Sequence, residues 1–281
     1  MGEALHQPRL VEPTRTAQPT SGNLRWLKLT MVIYIGVAKA FTMYISTGGQ
    51  PMKDLSITQK CFLCTINSKG NPPRLRVEDV ASSLLTAGIL ELEAQGLIAP
   101  DEKKRYAIAK PWDDSLPYLE PLYQAFVSMG KPAGARNVMA HYLQITDARL
   151  KVLLASIGAS LVEAGCVNEL IEQDSKKPVK YAPKPEAVAQ IMSGVREEVL
   201  GQSTVSEETA RLAFLLLASG SLKQHFSKEE RPALKARMKE INASEAVAPV
   251  VDIATKMGNL IFAIMMGVIL VAFFAALLII W

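Results

Sequence analysis

The last 25 residues of the chain, Met257 to Trp281, carry no charge, and Asn259 is their only strongly polar side chain. This run limits what the chain can fold into more than any other feature. About 20 apolar residues cross a bilayer as a helix. A helix buried in a domain of this size shows a polar stripe, and this run has none. Lys256 stands at its entry and Trp281 at its far end, where an indole favours the membrane interface. The run predicts one transmembrane helix over 257–281.

Arg237, Lys239 and Lys256 precede that segment, and no cation follows it. The positive-inside bias therefore predicts a single-pass, tail-anchored membrane protein with its body on the cytoplasmic side. The three cysteines, Cys61, Cys64 and Cys166, form no disulfide framework, which agrees with a reducing compartment.

The N-terminal region has three open readings. Leu29–Ile45 is apolar but split by Lys39, and its uncharged run to Ala38 is too short to span. Arg25 and Lys28 before it, and the small residues of Ala38-Lys39-Ala40, fit a signal peptide, which would place the body outside the cell. The polar leader from Met1 to Asn23 speaks against that. In the third reading Met52 is the start and residues 1–51 are a disordered or spurious extension. The chain divides into this extension (1–51), a body (52–242), a linker (243–256) and the span (257–281).

The body is mainly α. It is rich in Ala, Leu, Val and Lys, with 6% aromatics. The stretch RVEDVASSLLTAGILELEAQG places Val77, Val80, Ala81, Leu84, Gly88 and Leu92 at three- and four-residue steps, and Gly96 ends the helix. LIAPDEKKRYAIA follows, with short apolar ends around a charged turn, as in a β-hairpin. The pattern recurs in DARLKVLLASIGASLVEAGC and VNELIEQDSKKPVKYAP, whose turn holds Asp174, Ser175, Lys176 and Lys177. Further helices are expected around these units. Thr58 is the expected N-cap of the first, Ser206 starts another, and Ser227 with Glu230 makes a capping-box pattern. The expected fold is a compact helical domain with small β-hairpins and one C-terminal transmembrane helix.

Catalytic constellations are missing from the sequence. Cys61 and Cys64 have the spacing of half a zinc site, but no second pair exists, and they read as core residues on one face of an apolar helix. His6, His141 and His225 are isolated from one another and from any H-E-x-x-H pattern. No P-loop, dinucleotide fingerprint or G-x-S-x-G elbow occurs. Glu91 and Glu93 read as solvated helix positions. Neither an enzyme nor a cofactor is expected.

LSITQKCFLCTINSKG, VASSLLTAGILELEAQGLI, LLASIGASLVEAGCV and ETARLAFLLLASGSLKQHFSKEERPALKARMKEI occur in that order. Together they resemble the landmarks of the Golgi phosphoprotein 3 family, including its bacterial members. The stretch from Ile89 to Ile98 is similar to its most recognisable helix end, and the resemblance runs from Leu55 to Ile241. It implies a helical domain with β-hairpins and no enzyme activity. It also implies a peripheral adaptor that binds phosphatidylinositol 4-phosphate and the cytosolic tails of glycosyltransferases. The family pocket uses a tryptophan, a helix arginine and an arginine pair. By the resemblance these fall at or near Arg76, Leu85, and Lys151 with Leu154. The expected headgroup residues are therefore Arg76, Arg149 and Lys151, in a site that has lost the stacking ring and two cations.

The formal charge of +4 fits an anionic membrane. It also fits the alternative, a membrane-tethered, winged-helix-like nucleic-acid binder with PDEKKRY and DSKKPVKY as wings. A recognition helix would expose Arg, Lys, Asn or Gln. The long helix offers Ser82, Ser83, Thr86, Glu91 and Glu93 instead, so nucleic acid is not the expected partner.

Overall fold

A computed structural model describes residues 55–143, 148–171 and 179–258. The described chain is mainly helical and holds two small antiparallel hairpins, as expected. The first helix, α1 (Ile57–Thr65), is capped one turn before its apolar run by Ser56. The Gln59 N–H donates to Ser56 Oγ at 3.2 Å and the Ser56 N–H to Gln59 Oε1 at 3.1 Å. This reciprocal pair satisfies two helix-end donors at once. Thr58, expected as the cap, is instead buried in the first turn.

The long helix α2 (Val77–Ala94) begins with Glu78 and Asp79, whose charge suits the positive end of the helix dipole. It ends at Gly96, which has φ +67°. There the Gly96 N–H reaches the Glu93 carbonyl and the Leu97 N–H the Leu92 carbonyl. This left-handed closure turns the chain straight into β1 (Ile98–Pro100). Strand β1 pairs with β2 (Tyr106–Ile108) in the register Ile98↔Ile108.

The second unit repeats the device. Helix α5 (Ala148–Ser160) runs into turns that close at Gly165, φ +66°, with the same pair of hydrogen bonds, and β3 (Val167–Leu170) follows. Strand β4 (Lys180–Pro183) returns along it in the register Val167↔Pro183. The turn expected between them lies outside the described residues. Between the units stand α3 (Glu120–Met129) and α4 (Ala135–Tyr142). After them come α6 (Pro185–Leu200), α7 (Glu207–Ala218) and α8 (Arg231–Asn242). Ser206 caps α7 as expected. Ser227 and Glu230 exchange the expected hydrogen bonds, in the turn just before α8.

Helix α2 lies at the centre. Every residue from Val80 to Ile89 is buried, including Ser82, Ser83 and Thr86. These three were expected on an exposed face. Two of them, Ser83 and Thr86, find partners inside the body. Ser83 Oγ donates to the Asp79 and Leu215 carbonyls at 3.0 and 3.1 Å, and Thr86 Oγ1 lies 3.7 Å from the Met257 sulfur. A helix buried on all sides has no face left for a nucleic-acid groove. The expected wing of the first hairpin is occupied too. Arg105 pairs with Asp101 at 2.6 Å and Lys104 with Asp252 at 3.4 Å.

Residues 243–256, expected to be a linker, are folded. A 3-10 turn (Glu245–Val247) leads into a helix, α9, over residues 248–258. Val247, Val250, Ile253 and Met257 recur at three- and four-residue steps and are all buried. Their spacing is that of an amphipathic helix, and it docks on the body for that reason. Among the described residues no helix is long and apolar enough to cross a membrane. Met257 and Gly258, expected to open the span, belong to α9 instead; the rest of the expected span, residues 259–281, lies outside the described residues, as do residues 1–51.

Candidate functional site

Two prolines set up the first candidate residue. Pro73 is extended at ψ 133°, a 3-10 turn (Arg74–Arg76) follows, and α2 starts. Arg76 lies half-exposed, 3.8 Å from Asp79, and its guanidinium covers Gly220 at the end of α7. Only a residue without a side chain leaves room for it there. The other two positions implied by the resemblance are closed. Leu85 is 0% exposed and Leu154 is 9% exposed. No phosphate reaches a leucine in the core.

Arg149 and Lys151 belong to the exposed side of α5. Two residues on a helix are about 200° apart, so the two cations leave α5 on opposite flanks. Arg149 turns towards the end of α4, where its Nη1 donates to the His141 carbonyl at 2.9 Å. A cation at a helix C-terminus completes carbonyls that have no partner within the helix. The same arginine edges a groove of about 400 Å³ with Pro121, Gln124, His141, Tyr142 and Val152. Burial, and then the Arg149 charge, hold the His141 imidazole below its ordinary pKa. The groove thus offers one permanent cation, a neutral imidazole and apolar walls. That combination suits an anion carrying an apolar body. Arg76 is anchored on α7 and Arg149 on α4, each by its own partner.

A second groove, of about 350 Å³, is lined by Ile57, Leu90, Glu91, Glu207, Glu208 and Arg211. Its carboxylates are engaged: Glu207 with Arg211, Glu208 with Lys60, and Glu91 with Tyr118. Glu91 is not the solvated residue expected. It accepts the Thr58 N–H and the Tyr118 hydroxyl, each at 2.7 Å. The sequence did hold a signal, since Glu91 lies three residues after Gly88 on the apolar stripe of α2.

Cys61 and Cys64 are buried in α1. Burial pushes both thiols up, Cys64 to about 12, so neither is a thiolate nucleophile near neutral pH. Among the described residues no cluster of His, Cys, Asp and Glu is placed to hold a metal ion.

The model of the Golgi phosphoprotein 3 (GPP34) family matches residues 57–257. The chain belongs to the Golgi phosphoprotein 3 family. The match runs past Asn242 and ends at the buried Met257, so α9 is part of the Golgi phosphoprotein 3 domain. A comparison with curated proteins finds no match.

Proposed function

We propose that this Golgi phosphoprotein 3 family member is a non-enzymatic membrane adaptor that takes an anionic phospholipid headgroup. Its body lies on the cytoplasmic side, held at the bilayer by the apolar segment 259–281. The cytosolic tails of membrane proteins are its second class of partner, by likeness to the family. The observation that carries the reading is the placement of Arg149, fixed by the His141 carbonyl on the edge of a largely apolar groove. Arg76 and Lys151 do not line that groove and are further cations for anionic lipid outside it.

With Leu85 and Leu154 buried, a phosphoinositide loses two of the charge-assisted bonds that would read its phosphate. Binding should therefore follow charge more than headgroup shape. The test uses the full chain in neutral detergent, titrated with short-chain phosphatidylinositol 4-phosphate, phosphatidylserine and phosphatidylcholine. The two anionic lipids should bind and phosphatidylcholine should not. Arg149→Glu with Lys151→Glu should weaken binding by about 1 kcal/mol per cation removed. Equal binding of all three lipids, or an unchanged double variant, would overturn the headgroup reading.

A further inference from the structure

Leu75 is 97% exposed, the most exposed large apolar side chain among the described residues. A lone surface leucine is ordinary. This one is distinguished by how it is held and by what surrounds it. Its loop starts in a turn closed by Asn67, whose side chain accepts the Lys69 N–H at 2.9 Å and the Asn71 N–H at 3.3 Å. Gly70, at φ +65°, presses on Lys180 and Tyr181 of β4. Pro72 and Pro73 stiffen the approach, and Arg76 is seated on Gly220 beyond it. The leucine therefore projects from a base fixed on both sides.

Its surroundings are cationic. Arg74 and Arg76 flank it, Lys69 is exposed in the same loop, and Lys223 is exposed three residues beyond Gly220. The nearby carboxylates are Glu78 and Asp79, and Asp79 faces Arg76.

Helix α9 adds an independent direction. In the 3-10 turn just before it the Ala246 carbonyl accepts from Arg211, which shares a groove with Leu90 and Ala94 near the C-terminal end of α2. At its end Met257 meets Thr86 in the middle of α2. So α9 runs antiparallel to α2, and the described chain leaves heading for the end of α2 where Leu75 stands.

We propose that Arg74-Leu75-Arg76 is a bilayer contact, in which the leucine enters the interface of an anionic membrane and the cations rest among the headgroups. This rests on the membrane reading above and adds a contact the headgroup groove does not use. An aliphatic tip gains by leaving water, and flanking guanidiniums add attraction to anionic lipid while staying hydrated at the surface.

The native thiols are buried, so an environment-sensitive thiol probe can be directed to Leu75→Cys in the full chain. Lys103→Cys, in the hairpin turn that follows the other end of α2, is the control. Both are reconstituted into vesicles of phosphatidylcholine with and without phosphatidylserine. The probe at 75 should brighten and shift to shorter wavelength with phosphatidylserine, and a lipid-borne quencher should reach it. The probe at 103 should do neither. Vesicle-bound protein whose probe at 75 is unshifted would overturn this contact and leave the headgroup reading standing. Protein that does not float with vesicles would overturn the membrane reading and this contact with it. A shift that appears without lipid and grows with protein concentration would assign Leu75 to an interface between two copies, which also overturns it.

Discussion

Tyr118 donates its hydroxyl to the Glu91 carboxylate at 2.7 Å, and the other carboxylate oxygen accepts the Thr58 N–H at the same distance. One side chain thereby ties the start of α1 to the turn before α3. Glu91→Ala leaves both donors without their charged acceptor and should cost about 3 kcal/mol. Tyr118→Phe removes one bond and should cost about 1 kcal/mol. Urea denaturation of the two variants tests the order. Equal and negligible losses would mean that solvent serves both donors as well as Glu91 does.

Three helix glycines should respond differently to alanine. A Cβ at Gly158 would overlap the Tyr181 ring. The ring is buried on β4, so Gly158→Ala should destabilise by about 1–3 kcal/mol. At Gly88 the Cβ meets the ends of the Leu122 and Leu119 side chains at 2.7 and 3.2 Å, which can turn aside, and the loss should be smaller. At Gly194 in α6 nothing lies within 4 Å, and alanine should stabilise by about 0.5–1 kcal/mol through helix propensity. Thermal melts that fail to rank the three in this order would contradict the packing described.

A chain ended at Asn242 loses α9 with Val247, Val250, Ile253 and Met257, all buried. At about 1.5–3 kcal/mol for each fully buried aliphatic side chain, the loss approaches the whole stability of a domain. That chain should lack a cooperative melt, whereas one ended at Gly258 should keep it. Near-ultraviolet circular dichroism during a urea titration distinguishes them. Matching transitions would show that α9 adds nothing.

His225 is held below its ordinary pKa of 6.5 by burial first and by the Arg196 charge next, against a bond to the Cys64 carbonyl. A carbonyl only accepts, so the imidazole Nε2, 3.3 Å away, carries the hydrogen. The unfolded histidine takes a proton more readily than the folded one. Stability should therefore be full above pH 6.5 and be lost as pH falls through 6.5 towards the folded pKa. His141 shifts the same way. His225→Asn should flatten part of the decline, read as melting temperature against pH. A variant with the parent's slope would remove His225 from the cause.

The helices and both hairpins were legible because their signals are local. Apolar spacing in VASSLLTAGIL marks α2, and Gly96 and Gly165 mark its end and that of the α5 unit. Residues 243–256 were misread because their partner is remote. Thr86 and Met257 are 171 positions apart, and a short Ala- and Val-rich stretch with Pro249 looks like a connection until the surface it covers is known. The cations Arg76, Arg149 and Lys151 could be named as charges. That Arg76 seats on Gly220 and Arg149 on the His141 carbonyl is tertiary information. Leu75 between two arginines reads as plain loop, because only the folded chain shows that nothing covers it.

The docking of α9 also removes slack. A pull or twist that reaches Gly258 meets a docked helix. It is delivered through Met257 to Thr86, in the middle of the central helix. Strain from outside the domain thus arrives as torque on α2, the element against which α1, α3, α4 and α7 are stacked, and turns the body as a unit.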